Sequence, residues 1–177
     1  SYGMKVAIVS DTHDNINNFN KAINWLNSQK IGLILHCGDI CTQETIDEAT
    51  KNFKGSSFVK TSEDKGIKWV RGNGDYELDA LPEKMEIELD GNPSINSGRV
   101  RIFFNHYPDI AKKAAESGKY DLVFYGHTHK PWVEQIGNCK LANPGELAGQ
   151  RFKPTFAVYD TKTDKLELKI LEQLEID

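Results

Sequence analysis

Five short apolar runs of this sequence are each closely followed by residues of the types that bind metal ions. Runs of this length and character are typical of buried strands. They occupy residues 4–10, 33–37, 67–71, 100–104 and 122–125. The residues that follow them are Asp11 and His13, Asp39, Asn73, His106, and His127 with His129. Because loops diverge from the carboxyl ends of strands in α/β folds and leave a crevice there, we expect these side chains to converge on one site.

The fifth run ends at Gly126, after which two histidines are separated by one residue. Alternation along an extended backbone would point His127 and His129 to the same side of the strand end. Neutral imidazole is a common metal ligand, so this pair suits metal binding. A polar turn with two surface histidines accounts for the stretch equally well when it is taken alone.

Amphipathic patterns between the apolar runs predict helices. Apolar residues recur at helical spacing between residues 16 and 30 and again over residues 46–53. Glu44 lies near the positive end of the second helix, where an acidic side chain is favoured. Pro108 and Gly118 bracket a third, short helix.

The remaining strands are predicted to include antiparallel partners. Residues 85–89 alternate apolar and acidic side chains, and a turn-rich stretch joins them to residues 100–104, which predicts a hairpin. The polar residues 54–65 predict a loop. Further short strands are expected at residues 133–136, 140–142, 155–159 and 166–171. Early alternation of strands with helices and late hairpins favour an α/β sandwich with mixed sheets, and the length of 177 residues predicts a single domain over residues 1–177.

Composition narrows the classes of function. The chain is 38% hydrophobic and 27% charged, as in an ordinary soluble globular protein. A net charge of −4 and the lack of a basic run argue against a general nucleic-acid-binding surface. We recognise neither a membrane-spanning apolar stretch nor a signal peptide, so no membrane partner is expected. Residues 1–3, ahead of Met4, are interpreted as a remnant of cloning.

The cysteines Cys37, Cys41 and Cys139 are odd in number and lack the spacing of a disulfide framework. This usage is typical of a reducing compartment and predicts a cytoplasmic protein. Cys37 and Cys41 are an alternative pair of metal ligands, but Cys37 lies in an apolar strand and there is no second pair. We therefore interpret the cysteines as small buried hydrophobic residues.

The candidate ligands comprise two aspartates, one asparagine and four histidines. This set is too large for one tetrahedral ion, but it suits two ions that share a carboxylate. Oxygen and imidazole ligands without thiolate favour divalent transition metals over magnesium or calcium. We expect two ions per chain, with manganese favoured and iron, nickel, cobalt or zinc as alternatives.

The ordered set of motifs resembles that of the calcineurin-like metallophosphoesterase superfamily, and most closely its short bacterial and archaeal phosphodiesterases. The family pattern is Asp-x-His, Gly-Asp, Gly-Asn-x-Asp, a lone His, and Gly-His-x-His. It is matched by Asp11/His13, Gly38/Asp39, Gly72/Asn73/Asp75, His106 and Gly126/His127/His129. Asn143-Pro144-Gly145 also resembles a segment of the short members, and the match covers residues 4–159. The resemblance implies four layers, with two mixed β-sheets between helices.

The resemblance also implies a role for each ligand. Asp11, His13 and His129 would hold the first metal, and Asn73, His106 and His127 the second. Asp39 would bridge both, and Asp39, Asn73 and His106 are counted as catalytic as well. Two ions about 3.5–4 Å apart can hold a bridging hydroxide, which we hypothesise to attack phosphorus in line.

The sequence departs from the family pattern at three places. Gly74 replaces a histidine that resembles a general acid in the phosphomonoesterases of the superfamily, although the short phosphodiesterases also lack it. Tyr107 and Pro108 follow His106, where glycine and another histidine are common, and we expect them to reshape one wall of the crevice. Glu146 replaces a frequent serine, and we expect it either to point away from the substrate or to select it.

Several other polar residues have two interpretations. His36 is a candidate proton donor, although a core role is the usual one for such a histidine. Arg151 is interpreted as a phosphate contact or as part of a surface salt bridge. Asp75 and Asn105 either orient ligand side chains or cap a turn and bond to backbone. Packing in the core or at a rim, rather than base stacking, is expected of Trp25, Trp69 and Trp132.

The leading hypothesis is a metal-dependent phosphodiesterase that acts on a small diester substrate. One alternative is a non-catalytic interaction scaffold, as in the metallophosphoesterase-like subunit of the retromer coat, although intact ligands favour an enzyme. A second alternative, a phosphomonoesterase, is disfavoured by Gly74. The sequence leaves the physiological substrate and the oligomeric state open.

Overall fold

The computed structural model describes residues 3–55 and 66–175. Most of the loop predicted at residues 54–65 lies outside the described residues, as do Ser1 and Tyr2. The elements in chain order are β1 (Lys5–Val9), α1 (Ile16–Ser28), β2 (Leu33–His36), α2 (Gln43–Asn52), β3 (Gly66–Trp69), β4 (Lys84–Asp90), β5 (Arg99–Asn105), α3 (Pro108–Glu116), β6 (Leu122–Phe124), β7 (Trp132–Ile136), β8 (Cys139–Asn143), β9 (Thr155–Asp160) and β10 (Lys165–Ile170). Short 3-10 helices at Asn96–Gly98 and Leu171–Gln173 complete them.

The strands form two mixed five-stranded sheets. The first has the order β10-β9-β1-β2-β3, with β1, β2 and β3 parallel and β9 and β10 antiparallel. The second has the order β4-β5-β6-β8-β7, with β5, β6 and β8 parallel. The predicted hairpin is confirmed, because β4 and β5 pair antiparallel with Ile87 opposite Ile102.

Alternate faces of the buried strands fill different parts of the core. Val6 and Ile8 of β1 face the inter-sheet core, where they meet Ile102 and Phe104 of β5. The opposite faces of β1 and β2 pack on α1 and α2, and the outer face of the second sheet packs on α3. Full burial of both faces explains why residues 6–9 of β1 and 33–35 of β2 are continuously apolar. The four-layer α/β fold is therefore confirmed.

The parallel strands bring their carboxyl ends to one end of the sandwich. Val9, His36 and Trp69 lie at the same level in β1, β2 and β3, so the loops that follow these strands start side by side. Asn15 caps α1 directly after the first of these loops, with its side chain accepting the amide of Asn18 at 3.0 Å. Among the described residues, no helix is long and apolar enough to cross a bilayer. The assignment of residues 1–177 to one domain stays a prediction.

Candidate metal centre

All seven predicted ligands lie at this end of the sandwich, in loops whose backbone is partly left-handed. Positive φ angles occur at Asp11 (52°), His13 (44°), Asp39 (60°), His127 (70°) and His129 (66°). Such conformations cost about 1–2 kcal/mol for each residue with a Cβ atom. Hydrogen bonds between the loops hold them, including Asp11 N–H to Gly38 O at 2.9 Å and His13 N–H to Asp39 O at 3.0 Å.

The predicted alternation of His127 and His129 along a strand is wrong. β6 ends at Phe124, and both histidines have left-handed backbone rather than extended backbone. Their side chains consequently contact different partners instead of projecting side by side. The sequence predicted that both histidines reach the site, but their spacing did not show that they contact different groups of ligands there.

The first ligand cluster consists of Asp11, His13 and His129. Oδ1 of Asp11 lies 3.2 Å from Nε2 of His129 and 3.5 Å from Nε2 of His13. The two imidazole nitrogens are 3.3 Å apart. One ligand atom from each residue lies within 4.8 Å of the others, which is a suitable arrangement for a single ion.

The second ligand cluster consists of Asn73, His106 and His127. Oδ1 of Asn73 lies 3.0 Å from Nε2 of His106 and 3.1 Å from Nδ1 of His127. The same two nitrogens are 3.3 Å from each other. The nitrogen that His127 turns towards this cluster is therefore Nδ1, whereas His106 presents Nε2.

Asp39 lies between the two clusters. Its Oδ2 atom is 3.4 Å from Nε2 of His13 and 3.3 Å from Nε2 of His106. Its other oxygen, Oδ1, accepts the Gly74 amide at 2.7 Å. One oxygen is thus fixed by backbone, and the other is directed to a histidine of each cluster.

The donor atoms fit divalent cations. Oδ1 of Asp11 is buried and lacks a hydrogen-bond partner among the described residues, since its approach to the two imidazoles does not have hydrogen-bond alignment. Leaving a buried acceptor unsatisfied costs about 1–3 kcal/mol, and more for a charged group. A cation would satisfy this oxygen and the crowded imidazole nitrogens together. The mixture of carboxylate, amide and imidazole donors suits divalent transition metals.

Both aspartates are held ionised. Burial raises the pKa of Asp11, but the close imidazoles of His129 and His13 outweigh it and hold the pKa well below its usual range. Burial likewise opposes ionisation of Asp39, and His106 together with the Gly74 amide lowers its pKa. The site therefore presents two carboxylates in the form that binds cations.

Comparison with known proteins places the chain in a family. Residues 4–164 match the family model described as the calcineurin-like phosphoesterase superfamily domain. The chain belongs to this superfamily. It is 30% identical over 177 residues to a phosphodiesterase of Methanocaldococcus jannaschii, a match that covers 96% of this chain and all (100%) of the relative. A probable metallophosphoesterase of the same organism is 28% identical over 171 residues, which is 95% of this chain and 81% of the relative.

Solved structures agree with this assignment. A structure described as a novel archaeal phosphodiesterase superposes with a TM-score of 0.77 and 27% identity, and the match covers 94% of this chain and 99% of that one. Vps29 from Chaetomium thermophilum shares the fold, with a TM-score of 0.65, 19% identity and coverage of 94% and 92%. Membership of the family supports metal-dependent phosphoester hydrolysis as the chemistry of the site.

Three histidines of this phosphoesterase have a partner on the ring nitrogen that faces away from the cluster. Nδ1 of His106 donates to Cys37 O at 2.8 Å. Nδ1 of His129 lies 3.0 Å from Oε2 of Glu146, and Nδ1 of His13 lies 3.8 Å from Sγ of Cys41. Such partners fix the orientation and tautomer of a metal-binding histidine.

The carboxylate of Asp75 holds the loops after β2 and β3 in place. Its Oδ2 accepts the amides of Asp39 at 2.9 Å and Gly72 at 2.8 Å, and its Oδ1 accepts those of Ile40 and Cys41 at 2.7 Å. Of the two predicted roles, bonding to the turns is the one observed. Asp75 thereby positions Asp39 through its backbone.

Two asparagines near the ligands also bond to loop backbone. Oδ1 of Asn105 accepts the Tyr107 amide at 2.6 Å, in agreement with the backbone-bonding alternative. Nδ2 of Asn143, in the Asn-Pro-Gly segment, donates to Gly126 O at 3.1 Å and to Oγ1 of Thr128 at 2.9 Å. Asn143 therefore fixes the loop that carries the paired histidines, a contact that the sequence did not indicate.

The proposal that His36 protonates the leaving group is wrong. The imidazole is fully buried, and burial lowers its pKa to about 3. Its Nδ1 accepts the Gly38 amide at 3.0 Å, and Nε2 lies 2.7 Å from Oγ1 of Thr12. The ring also stacks on Trp69, with centroids 5.2 Å apart. His36 is a core residue that supports the ligand loops.

The remaining predictions have mixed outcomes. The cysteines Cys37 and Cys139 are buried as expected, but Cys41 is only half-buried and touches His13. Burial, and after it the charge of Asp14, raises the pKa of the Cys41 thiol to about 12.

Arg151 is exposed, and its guanidinium has no ion-pair partner within residues 3–55 and 66–175.

Two of the three tryptophans pack as expected. Trp25 packs on Phe156, and Trp69 packs on Phe19 as well as on His36. Trp132, by contrast, is 51% exposed on the edge strand β7. Trp132 therefore lies at the rim of the second sheet, so of the two kinds of packing predicted only the rim alternative applies to it.

Tyr107 forms a wall of the second ligand cluster. Its ring centroid lies 5.2 Å from that of His106 in an edge-on arrangement and 5.7 Å from that of His127. The reshaped wall that the sequence predicted after His106 is thus an aromatic one. It stands on the side of the site where Asn73 and His127 are exposed.

Proposed function

We propose that this protein is a dinuclear metal-dependent phosphodiesterase. The observation that carries the proposal is the position of Oδ2 of Asp39, within 3.4 Å of a histidine of each ligand cluster. Asp11, His13 and His129 would hold one ion, Asn73, His106 and His127 the other, and Asp39 both. These are the assignments expected from the family pattern.

Bound divalent ions would supply a nucleophile by lowering the pKa of a water molecule, and would offset charge on the phosphoryl oxygens. The residues of the chain hold that chemistry in place. Cys37 O keeps the proton of His106 on Nδ1, so that Nε2 is free to act as a ligand. Two carboxylates among the ligands would leave two divalent ions with a net charge of about +2, which favours binding of an anionic phosphate.

Gly74 shapes the choice between monoesters and diesters. It lies directly against Asp39, where a Cβ atom would come 3.1 Å from Oδ1. The position offers a backbone amide but no side-chain proton, and His36 is too deeply buried and too weakly basic to replace it. Efficient hydrolysis of monoesters with poor leaving groups is accordingly not expected.

The proposal is tested by hydrolysis of bis(para-nitrophenyl) phosphate beside para-nitrophenyl phosphate. The protein is first stripped with a chelator and then re-supplied with Mn²⁺. Diester turnover that requires the metal, with little monoester turnover, is the expected result. Because para-nitrophenolate leaves without a proton, β-glycerophosphate is assayed as a second monoester, and turnover of it comparable to that of the diester would show that another group protonates the leaving oxygen.

A scaffold is the competing function, because the fold is shared with Vps29 proteins. One of these, from Entamoeba histolytica, is described as a complex with Zn²⁺. Metal binding by itself therefore does not separate an enzyme from a scaffold, whereas hydrolysis does. Absence of turnover at full metal loading would overturn the proposal.

Manganese as the native metal, a small diester as the substrate and a cytoplasmic location are parts of this proposal that stay predictions of the sequence. The same is true of the absence of nucleic-acid and membrane partners. The metal content of the protein purified without added metal tests the prediction of manganese. A panel of cyclic nucleotides, nucleic-acid ends and lipid-derived diesters tests the prediction of a small diester substrate.

A further inference from the structure

Glu146 is a buried acid that the proposed reaction does not use directly. It follows the Asn143-Pro144-Gly145 segment after β8, and its exposed fraction is 0%. A carboxylate at such a position must be hydrogen-bonded or paired, because an isolated buried charge is very costly. Its partners are the imidazole of His129 and three backbone amides of the loop at residues 150–152.

The contacts of Glu146 show how this requirement is met. Oε2 lies 3.0 Å from Nδ1 of His129 and accepts the amides of Arg151 at 3.0 Å and Phe152 at 3.3 Å. Oε1 accepts the amide of Gln150. Of the two sequence expectations for Glu146, the first is met: the carboxylate has no exposed surface and lies on the side of His129 that faces away from the first cluster.

We propose that Glu146 is a positioning residue that orients His129 and strengthens it as a metal ligand. The inference rests on the metal centre proposed above. A carboxylate that accepts from Nδ1–H leaves Nε2 as the nitrogen with the free lone pair and raises its basicity. Nε2 is the atom that faces Asp11 and His13, so the hydrogen bond directs the stronger donor to the first cluster.

This arrangement distinguishes His129 from the other histidines with an outward partner. His106 donates to a neutral carbonyl, and His13 faces the sulfur of Cys41 at 3.8 Å. Among the described residues, only His129 has a carboxylate against its outward nitrogen. A serine at this position, as is frequent in the family, would supply no charge.

Glu146 also couples the ligand to a surface loop. The same carboxylate that contacts His129 accepts the amides of residues 150–152, on which Arg151 and Phe152 are exposed. Replacing the acid therefore disturbs two things, the ligand and the loop. The test must separate an effect on His129 from an effect of the loop.

Zn²⁺ titration of the metal-free protein, followed by calorimetry and by competition with a chelator, measures the two ion affinities without any substrate. Replacement of Glu146 by Gln (E146Q), which keeps the size, or by Ser (E146S) is expected to weaken one of the two sites about 10–100-fold and leave the other unchanged. The exposed acid Glu134, replaced in E134Q, is the matched control and should change neither.

A double-mutant cycle then identifies the route of the effect. In a His129→Ala background, E146Q should cause no further loss of affinity, because the residue through which it acts is gone. A loss of the same size in that background would overturn the proposal in favour of a structural effect of the loop. Equal affinities of E146Q, E146S and the unaltered protein for Zn²⁺ would overturn it as well.

The ring nitrogens of His129 give a readout that a purely structural role would not move. In the zinc-loaded protein, ¹⁵N-resolved NMR should show His129 with its proton on Nδ1, shifted downfield by the carboxylate, and E146Q should reduce that shift. An unchanged His129 signal would contradict the inference. Neither measurement depends on turnover, so a protein that binds two ions without hydrolysing a diester would refute the proposed function and leave this inference standing.

Discussion

The two ligand clusters of the metal centre differ in burial and in charge. In the first cluster Asp11 is fully buried, His129 is 6% exposed and His13 is partly covered. In the second cluster His106 is buried, but Asn73 and His127 are exposed. The first cluster also has a carboxylate of its own and Glu146 beside it, whereas the second has only neutral ligands of its own and meets the carboxylates of Asp39 and Asp11 at His106.

This difference implies a division of labour. A buried anionic cluster attracts a cation more strongly than an open neutral one, because water screens charges less in the interior. We therefore expect the first cluster to retain its ion more tightly. The second cluster, which opens to solvent beside Tyr107, is the side from which a substrate would reach the ions. Each prediction below tests one part of this contrast.

The largest effect is expected at the residue that the clusters share. Asp39→Asn removes the charge from Oδ2 while keeping the size of the side chain, so each of the two proposed ions would lose the charged ligand that they share. Diester turnover should fall at least about a thousandfold, which corresponds to about 4 kcal/mol in the barrier. Elemental analysis after gel filtration should show fewer than two ions per chain.

Asp47→Asn, at an exposed acid on α2, is the control for a change of net charge and should keep metal and activity. Retention of both ions and of activity in Asp39→Asn would show that the clusters are independent. Asp39 would then not link the two clusters.

The next largest effect distinguishes the clusters directly. Asp11→Asn should lower the affinity of one ion by at least about a hundredfold, since even partners behind a ligand are worth 10–100-fold. Asn73→Ala should affect the other ion by about tenfold, because it removes a neutral, exposed ligand. Stepwise removal of metal by a chelator, followed by elemental analysis, measures the order of loss.

Unaltered protein should lose its first ion from the second cluster, so Asn73→Ala should accelerate the early step and Asp11→Asn the late one. The reverse assignment would mean that exposure does not control retention. The thermal midpoint with and without metal is an independent check, because an ion that binds only the folded state stabilises it.

The sequence predicted where the ligands lie because strand ends are a local property. An apolar run that stops at Asp11 or Asp39 is visible without any knowledge of distant residues, and parallel pairing then brings such ends together. The mixed sheets and the hairpin of β4 and β5 followed from the same short-range patterns.

The missed features depend on contacts between distant parts of the chain. Asp75 bonds to amides 34–36 positions earlier, and Glu146 contacts a histidine 17 positions away. Their side-chain types could be read from the sequence, but their partners could not. The separation of His127 from His129 arises from left-handed backbone after β6, which an assumption of strand alternation cannot anticipate.

A smaller effect is expected from adding the missing proton donor. Gly74→His places an imidazole beside the exposed second cluster, and general acid catalysis typically contributes 10²–10⁴-fold when it is well aligned. Here the new Cβ lies 3.1 Å from Oδ1 of Asp39, so alignment is imperfect and we expect the monoester-to-diester ratio of kcat/KM to rise only about tenfold. Turnover of bis(para-nitrophenyl) phosphate and of β-glycerophosphate, a monoester whose alkoxide leaving group needs a proton, measures it.

Gly74→Ala has the same steric cost without the imidazole and is the matched control. A rise in monoester turnover with histidine but not with alanine would show that the open cluster lacks only a proton donor. An equal ratio in both variants would mean that a different feature sets the preference for diesters.

The smallest effect is expected at the aromatic wall. Tyr107 packs edge-on against His106 and at a tilt against His127, so its ring borders the open cluster without contributing a ligand. Tyr107→Leu should raise KM for an aryl diester about threefold to tenfold, the equivalent of the roughly 0.5–1.5 kcal/mol of an aromatic pair, with little change in metal content. Tyr107→Phe, which keeps the ring, should match the unaltered protein.

A rise in KM in both variants would mean that the hydroxyl, and not the ring, contacts the substrate. A loss of metal in Tyr107→Leu would mean that the wall supports His106 rather than the substrate. Only an effect on KM alone, confined to the leucine variant, would confirm that substrates approach from the side of the second cluster.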